Sequence, residues 1–163
     1  MRRLLRLPES EASLPQVLKG QGMRIERLDR VVLGVRELDN ATAFFEALLG
    51  LRFDPQISDA SLGMEARYSR EGLELVSGYE GTAVDRFTQS RGEGVFCVVF
   101  KLAYMDEALA HMRQHGLEPV NDVTFGAMRE VAFHPSGTHG MQIVLAAYPE
   151  QHPATVAVMS QPR

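Results

Sequence analysis

The chain lacks the features that mark several protein classes. It has one cysteine in 163 residues, Cys97, so no internal disulfide framework exists and a reducing cytoplasm is expected. It lacks a basic excess: 17 Lys and Arg stand against 21 Asp and Glu, a net charge of −4. No basic stripe with interleaved aromatics is present, which argues against a nucleic-acid partner. Nor does any apolar run approach the roughly 20 residues of a membrane span. Arg2, Arg3 and Arg6 alternate with leucines at the N-terminus, but Pro8, Glu9 and Glu11 cut the run short of a secretory core.

What is present is ordinary for a globular core, at 45% hydrophobic and 23% charged residues. The informative stretch is Leu28 to Gly50, LDRVVLGVRELDNATAFFEALLG, a strand running into a helix. It returns in weakened form as Val95 to Gly116. A shift of 67 residues sets Arg30 on Cys97, Val35 on Leu102, Leu38 on Met105 and Asp39 on Asp106.

The nearly continuous apolar run in Ile25 to Val35 predicts a strand covered on both faces. A helix capped by Asp39 or Asn40 runs to Leu49, with Gly50 after it. Its apolar face is expected from Phe44, Phe45, Leu48 and Leu49. A short strand over Leu51 to Pro55, a loop over Ser58 to Leu62, and strands over Gly63 to Ser69 and Gly72 to Ser77 complete a β-α-β-β-β unit. The glycine-rich stretch Gly78 to Gly94 reads as a linker, with at most a helical turn near Val84 to Phe87. The second half repeats the order: strand Val95 to Leu102, helix Asp106 to His115, and an extended piece over Leu117 to Val120. Strands over Met128 to His134 and Gly140 to Ala146 follow. The expected organisation is an arm over 1–23, a domain over 24–148 and a tail over 149–163. Within the domain, modules at 24–78 and 94–148 flank the linker at 79–93. The fold class is α+β, two tandem βαβββ modules forming a cupped, barrel-like mixed sheet whose concave face can enclose a ligand.

Alternation puts Arg30, Val32 and Gly34 on one face of their strand, and Gly72, Glu74 and Val76 on one face of theirs. If both faces line the cup, Arg30 and Glu74 meet there. Gln142 shares a face with Val144 and is a candidate polar reader. Cys97 reads most plainly as a small buried strand residue, and His134 and His139 as turn residues at the rim. His111 and His115 are spaced i,i+4 on a helix without a third ligand. Phe45, Phe96, Phe100, Met105, Met112 and Phe133 are expected in the core.

Four segments, LDRVVLGVRELDNATAFFEALLGLRF, GLELVSG, GVFCVVFKLAYMDEALAHMRQHGLEPV and VAFHPSGTHGMQIVL, resemble the vicinal oxygen chelate superfamily. That superfamily includes glyoxalase I, extradiol dioxygenases, methylmalonyl-CoA epimerase and bleomycin-type antibiotic-binding proteins. The HPxxTxG turn is most similar to the epimerase branch. The resemblance implies the cupped fold, a small-molecule ligand and a homodimer. It also implies four metal-ligand positions, which here hold Arg30, Glu74, Cys97 and Val144. Guanidinium donates only and valine has no donor atom, so no metal and no other cofactor is expected. The expected function is a metal-independent enzyme, of isomerase, epimerase or lyase type, acting on a small carbonyl-bearing or acyl substrate. Arg30 and Glu74 would be catalytic, with Cys97, Gln142, His134 and His139 contacting substrate. Two alternatives stay open: a non-catalytic antibiotic-type binding protein, and a metal-dependent lyase or dioxygenase with ligands displaced to Glu74, Gln142, His134 and His139.

Overall fold

A computed structural model of the protein describes residues 23–54, 57–59 and 63–149. Nearly all of the expected arm, and the tail beyond Pro149, lie outside them. The elements in chain order are β1 (Ile25–Gly34), α1 (Leu38–Leu49), β2 (Ile57–Asp59), β3 (Met64–Tyr68), β4 (Leu73–Gly78), α2 (Ala83–Arg91), β5 (Gly94–Leu102), α3 (Met105–Gln114), β6 (Pro119–Phe125), β7 (Met128–Phe133) and β8 (Ile143–Ala147). The strands form one eight-stranded sheet in the order β2-β3-β4-β1-β5-β8-β7-β6. This is the α+β architecture of two βαβββ units. The units join in the middle, where β1 pairs antiparallel with β5, so the cup is built within one chain.

The register of the seam decides what faces the cup. Val32 lies between Glu74 on β4 and Cys97 on β5. Arg30 pairs with Val99, which pairs in turn with Val144 on β8. A bulge between Leu28 and Arg30 breaks the alternation at Asp29. The inner cluster contains Val32, Val76, Val99, Val144 and Ala146. On the outer face, Met105, Ala108, Leu109 and Met112 of α3 pack on Val131, Phe133 and Leu145.

Several local expectations are corrected. The helix α1 starts at Leu38 after Glu37, whose side chain makes no capping bond, so neither Asp39 nor Asn40 is the cap. Only Leu38 and Thr42 of α1 are buried, with Ala41 and Phe45 packed beside them. Phe44, Leu48 and Leu49 are 58–61% exposed, because the stripe facing the sheet is the neighbouring one. The described part of the expected strand Leu51 to Pro55, residues 51–54, is not a strand: Phe53 makes one bridge to Ser69, and Pro55 lies outside the described residues. The strand β2 instead overlaps the start of the stretch read as a loop, where Ile57–Asp59 pairs with β3. The extended piece after α3 runs on to Phe125, since every residue pairs against β7 except at one irregularity near Val120.

The largest correction is α2, nine residues of helix where a linker was expected. Thr82 caps it, its side chain accepting from the Asp85 N–H, and Asp85 Oδ2 accepts from the Gly81 N–H. Two glycines allow α2 to sit close to the sheet. A Cβ on Gly78 would lie 2.5 Å from Thr82 Oγ1 and 2.6 Å from the Asp85 nitrogen, and one on Gly34 would lie 3.0 Å from the Phe87 ring. Only Val84 and Thr88 are buried, too short an apolar stripe to announce a helix.

Candidate functional site

The concave face holds an inner cavity of about 110 Å³ at the centre of the sheet. Arg30, Glu74, Cys97 and Gln142 all line it, as strand parity and the matched positions predict, together with Val144. His134 and His139 do not. They line an outer vestibule of about 880 Å³ that opens above the inner cavity. Cys97 and Gln142 line both chambers.

The inner cavity is organised by Arg30, which is 5% exposed. Each of its three nitrogens meets a different carboxylate. Nε donates to Glu74 Oε2 at 2.5 Å, Nη1 to Asp29 Oδ2 at 2.8 Å, and Nη2 to Glu130 Oε1. Burial works against the Arg30 cation, but the charges of Glu74 and Glu130 outweigh it and hold the group protonated. Among the described residues, Glu74 and Glu130 bond only to Arg30, each through one oxygen. The second oxygen of each carboxylate remains for a ligand, since both residues line the cavity.

Glu130 was missed by sequence reading. Parity on β7 does put Met128, Glu130 and Ala132 on one face, so an acid in the middle of an apolar strand was the available signal. Burial pushes its carboxyl above the usual range, opposed by Arg30 and reinforced by Glu74.

Asp29 anchors the assembly from behind. Its side chain is fully buried and takes bonds from Arg27 Nη2 at 3.0 Å, from Arg30, and from the Tyr148 hydroxyl. Tyr148 accepts from Arg27 Nη2 at 2.7 Å, and Lys101 Nζ lies 4.8 Å from its ring centroid. Burial and the Asp29 carboxylate both push the Tyr148 hydroxyl up, so it stays a donor. Asp29, Glu74 and Glu130 thus meet Arg27 and Arg30. With every group ionised the cluster holds one excess negative charge, which a proton on Glu130 removes.

A divalent ion at the superfamily's position does not fit these residues. It would face the guanidinium of Arg30 and the methyls of Val144. Burial, then the charge of Glu74, pushes the Cys97 thiol up and keeps its proton on. Among the described residues, no group of three or more His, Cys, Asp or Glu side chains converges to hold a metal. The displaced ligand set is also divided, with Glu74 in the inner chamber and His134 and His139 outside it.

An eight-stranded cup built from two βαβββ units around an inner polar cluster defines the vicinal oxygen chelate fold, and solved structures agree. The Mycobacterium tuberculosis methylmalonyl-CoA epimerase superposes with a TM-score of 0.72 at 19% identity, covering 80% of this chain and 93% of that one. A Streptomyces coelicolor methylmalonyl-CoA epimerase in complex with 2-nitronate-propionyl-CoA gives 0.71 at 21% identity, covering 78% and 100%. A methylmalonyl-CoA epimerase in complex with methylmalonyl-CoA and NH4+ gives 0.71 at 22%, covering 77% and 96%. No family model and no curated protein sequence matches the chain.

Proposed function

We propose that the chain is a metal-independent enzyme that moves a proton on a small carbonyl-bearing or acyl substrate, by epimerase, isomerase or lyase chemistry. The observation that carries this is the trio Glu74, Arg30 and Glu130, with one open carboxylate oxygen on each side of a buried cation. Glu74 takes a proton from the carbon next to the carbonyl. Arg30 lies beneath the developing enolate and offsets its charge without needing to reorient. Glu130, whose carboxyl burial favours in the protonated form, supplies a proton from the other side. Gln142 and Cys97 shape the cavity between them. The epimerase structures with CoA esters support an acyl thioester as the first substrate to try. The reading also carries a homodimer in the cytoplasm, which sedimentation equilibrium and cell fractionation test.

The deciding experiment follows solvent deuterium into methylmalonyl-CoA and related 2-substituted acyl thioesters by mass spectrometry. Exchange that Glu74→Gln stops, with thioester affinity retained, supports catalysis. If Glu74→Gln changes only affinity or stability, the enzyme reading fails. One observation favours the rival reading of a binding protein: Arg30 is already engaged by three carboxylates, as in a purely structural cluster. That protein would bind thioesters or other small molecules and exchange no deuterium.

A further inference from the structure

We infer that His111 and His115 form a chelating site for a borderline divalent transition ion, Cu²⁺, Ni²⁺ or Zn²⁺, at the outer end of α3. The inference does not rest on the proton-transfer reading above, because α3 lies on the outer face of the sheet. Its residues Met105, Ala108, Leu109 and Met112 are buried there. His111 and His115 stand beside that stripe toward solvent, His111 half-buried and His115 exposed.

Helix geometry brings the two rings together. Residues four apart lie above one another on a helix face. His115 ends α3 at φ −93° and ψ 11°, close enough to helical geometry to keep its side chain on that face. Its N–H donates to the Met112 carbonyl at 3.0 Å, and the N–H groups of Gly116 and Leu117 close on Arg113 and Met112. Gly116 takes the left-handed φ of 73° that ends the helix. The turn carrying His115 is thus held by backbone bonds on every residue. The two rings meet edge to face with centroids 4.6 Å apart. Small side-chain rotations bring one nitrogen of each onto a common ion.

These nitrogens are otherwise unused. Among the described residues, neither imidazole takes part in a hydrogen bond or an ion pair, and their ring contact is with each other. His134, by contrast, spends its Nδ1 on Ser136. A neutral imidazole offers one lone pair, and two at this spacing make a bidentate ligand for a borderline ion. Hard ions such as Mg²⁺ prefer oxygen ligands and are rejected. Water completes the coordination, since among the described residues no third His, Cys, Asp or Glu converges on the pair.

The surrounding charge suits a cation. The last carbonyls of a helix carry partial negative charge. Glu107 lies one turn before His111, and Arg113, the cation of α3 itself, is drawn to Glu118 at 3.3 Å. Arg24 shares a groove with Glu107 and His111, whereas His115 stands outside it. An ion between the rings ties the last turn of α3 to the turn before it. Held by the folded chain better than by the unfolded one, it stabilises the fold by mass action.

Calorimetric titration of the untagged full-length chain with CuCl₂, NiCl₂, ZnCl₂ and MgCl₂, paired with melting temperatures, tests this. One ion per chain is expected, tightest for Cu²⁺, with no binding of Mg²⁺. His111→Ala and His115→Ala should each weaken Ni²⁺ at least about tenfold, because one imidazole is no chelate. Their metal-free melting temperatures should match wild type, since neither side chain is fully buried. His134→Ala combined with His139→Ala should bind Ni²⁺ as wild type does. Glu107→His added to His115→Ala should restore binding, because it rebuilds the pair one turn earlier; a histidine that served only packing would not be replaced in this way. A Ni²⁺-induced rise in melting temperature that either single variant removes supports the site. Absence of saturable binding with a Kd below about 1 mM, or binding that survives both single variants, overturns the proposal.

Discussion

Arg30 and Glu130 stand 100 residues apart in the chain and are joined by a hydrogen bond from Nη2 to Oε1. The bond crosses the seam between the two modules, and it sets one wall of the inner cavity against the other. Removing Arg30 would leave Asp29, Glu74 and Glu130 facing one another in a buried space. Arg30→Met is expected to cost about 3–5 kcal/mol in urea unfolding. Arg30→Lys should recover only part, since one ammonium cannot present separate nitrogens to three carboxylates. A loss below about 1 kcal/mol for Arg30→Met would show that the cluster does not hold the seam.

Asp29 is the positioning residue for that guanidinium. Asp29→Asn should cost about 1–3 kcal/mol, and Tyr148→Phe about 1 kcal/mol. Because the two share a hydrogen bond, the double variant should lose less than the sum. Additive losses in a double-mutant cycle would contradict the coupling.

Glu130→Gln keeps the shape of the side chain and its acceptor oxygen while removing the charge. On the proton-transfer reading, the expected result is a drop of about 10²–10⁴ in deuterium exchange with substrate affinity unchanged. Full exchange activity in this variant would remove Glu130 from the mechanism and leave Glu74 to act alone.

Asp54 predicts a pH dependence of stability. It is buried, and desolvation pushes its carboxyl up to about 6, against the pull of the Tyr68 N–H on Oδ1 at 2.6 Å. Among the described residues its Oδ2 has no hydrogen-bond partner. Between an unfolded pKa near 3.9 and the folded value, the folded chain holds a proton that the unfolded chain has lost. The contribution of Asp54 to stability therefore falls as pH rises from about 4 to 6, and its full cost is present above that window. Asp54→Asn should flatten this part of the profile, as measured by urea midpoints at pH 4, 5, 6 and 7. A variant profile parallel to wild type would exclude Asp54 as the source.

The exposed face of α1 makes the opposite prediction for apolar residues. Phe44→Gln and Leu48→Gln should each change the stability of the isolated chain by less than about 0.5 kcal/mol. Leu75→Ala, at a fully buried position of the same module, should cost about 2–5 kcal/mol. Comparable losses at Phe44 and Leu75 would mean that α1 is covered in solution.

The fold was legible because two copies of one strand-helix pattern bracketed it, and Arg30 and Glu74 were found together because alternation is a local rule. Where the signal depended on distant partners, the sequence misled. The helix α2 owes its place to the Thr82 cap and to the missing side chains at Gly34 and Gly78, so its own residues carry little hydrophobic pattern. Phe44, Leu48 and Leu49 have helical spacing, but which of two overlapping stripes meets the sheet is set by how α1 leaves β1. Glu130 stayed hidden because the resemblance points to β8 for the last ligand. Asp29 turns toward Arg30 only because of a bulge, which no alternation pattern foretells.

The repeat of the βαβββ unit gives each matched inward position in one module a counterpart in the other. The counterparts are chemically unequal, an arginine against a cysteine and a glutamate against a valine. The seam is thus an axis of broken symmetry, and a flat molecule lying across it would meet different groups on its two sides. Two halves with one backbone plan thus present two different chemical surfaces to the same cavity.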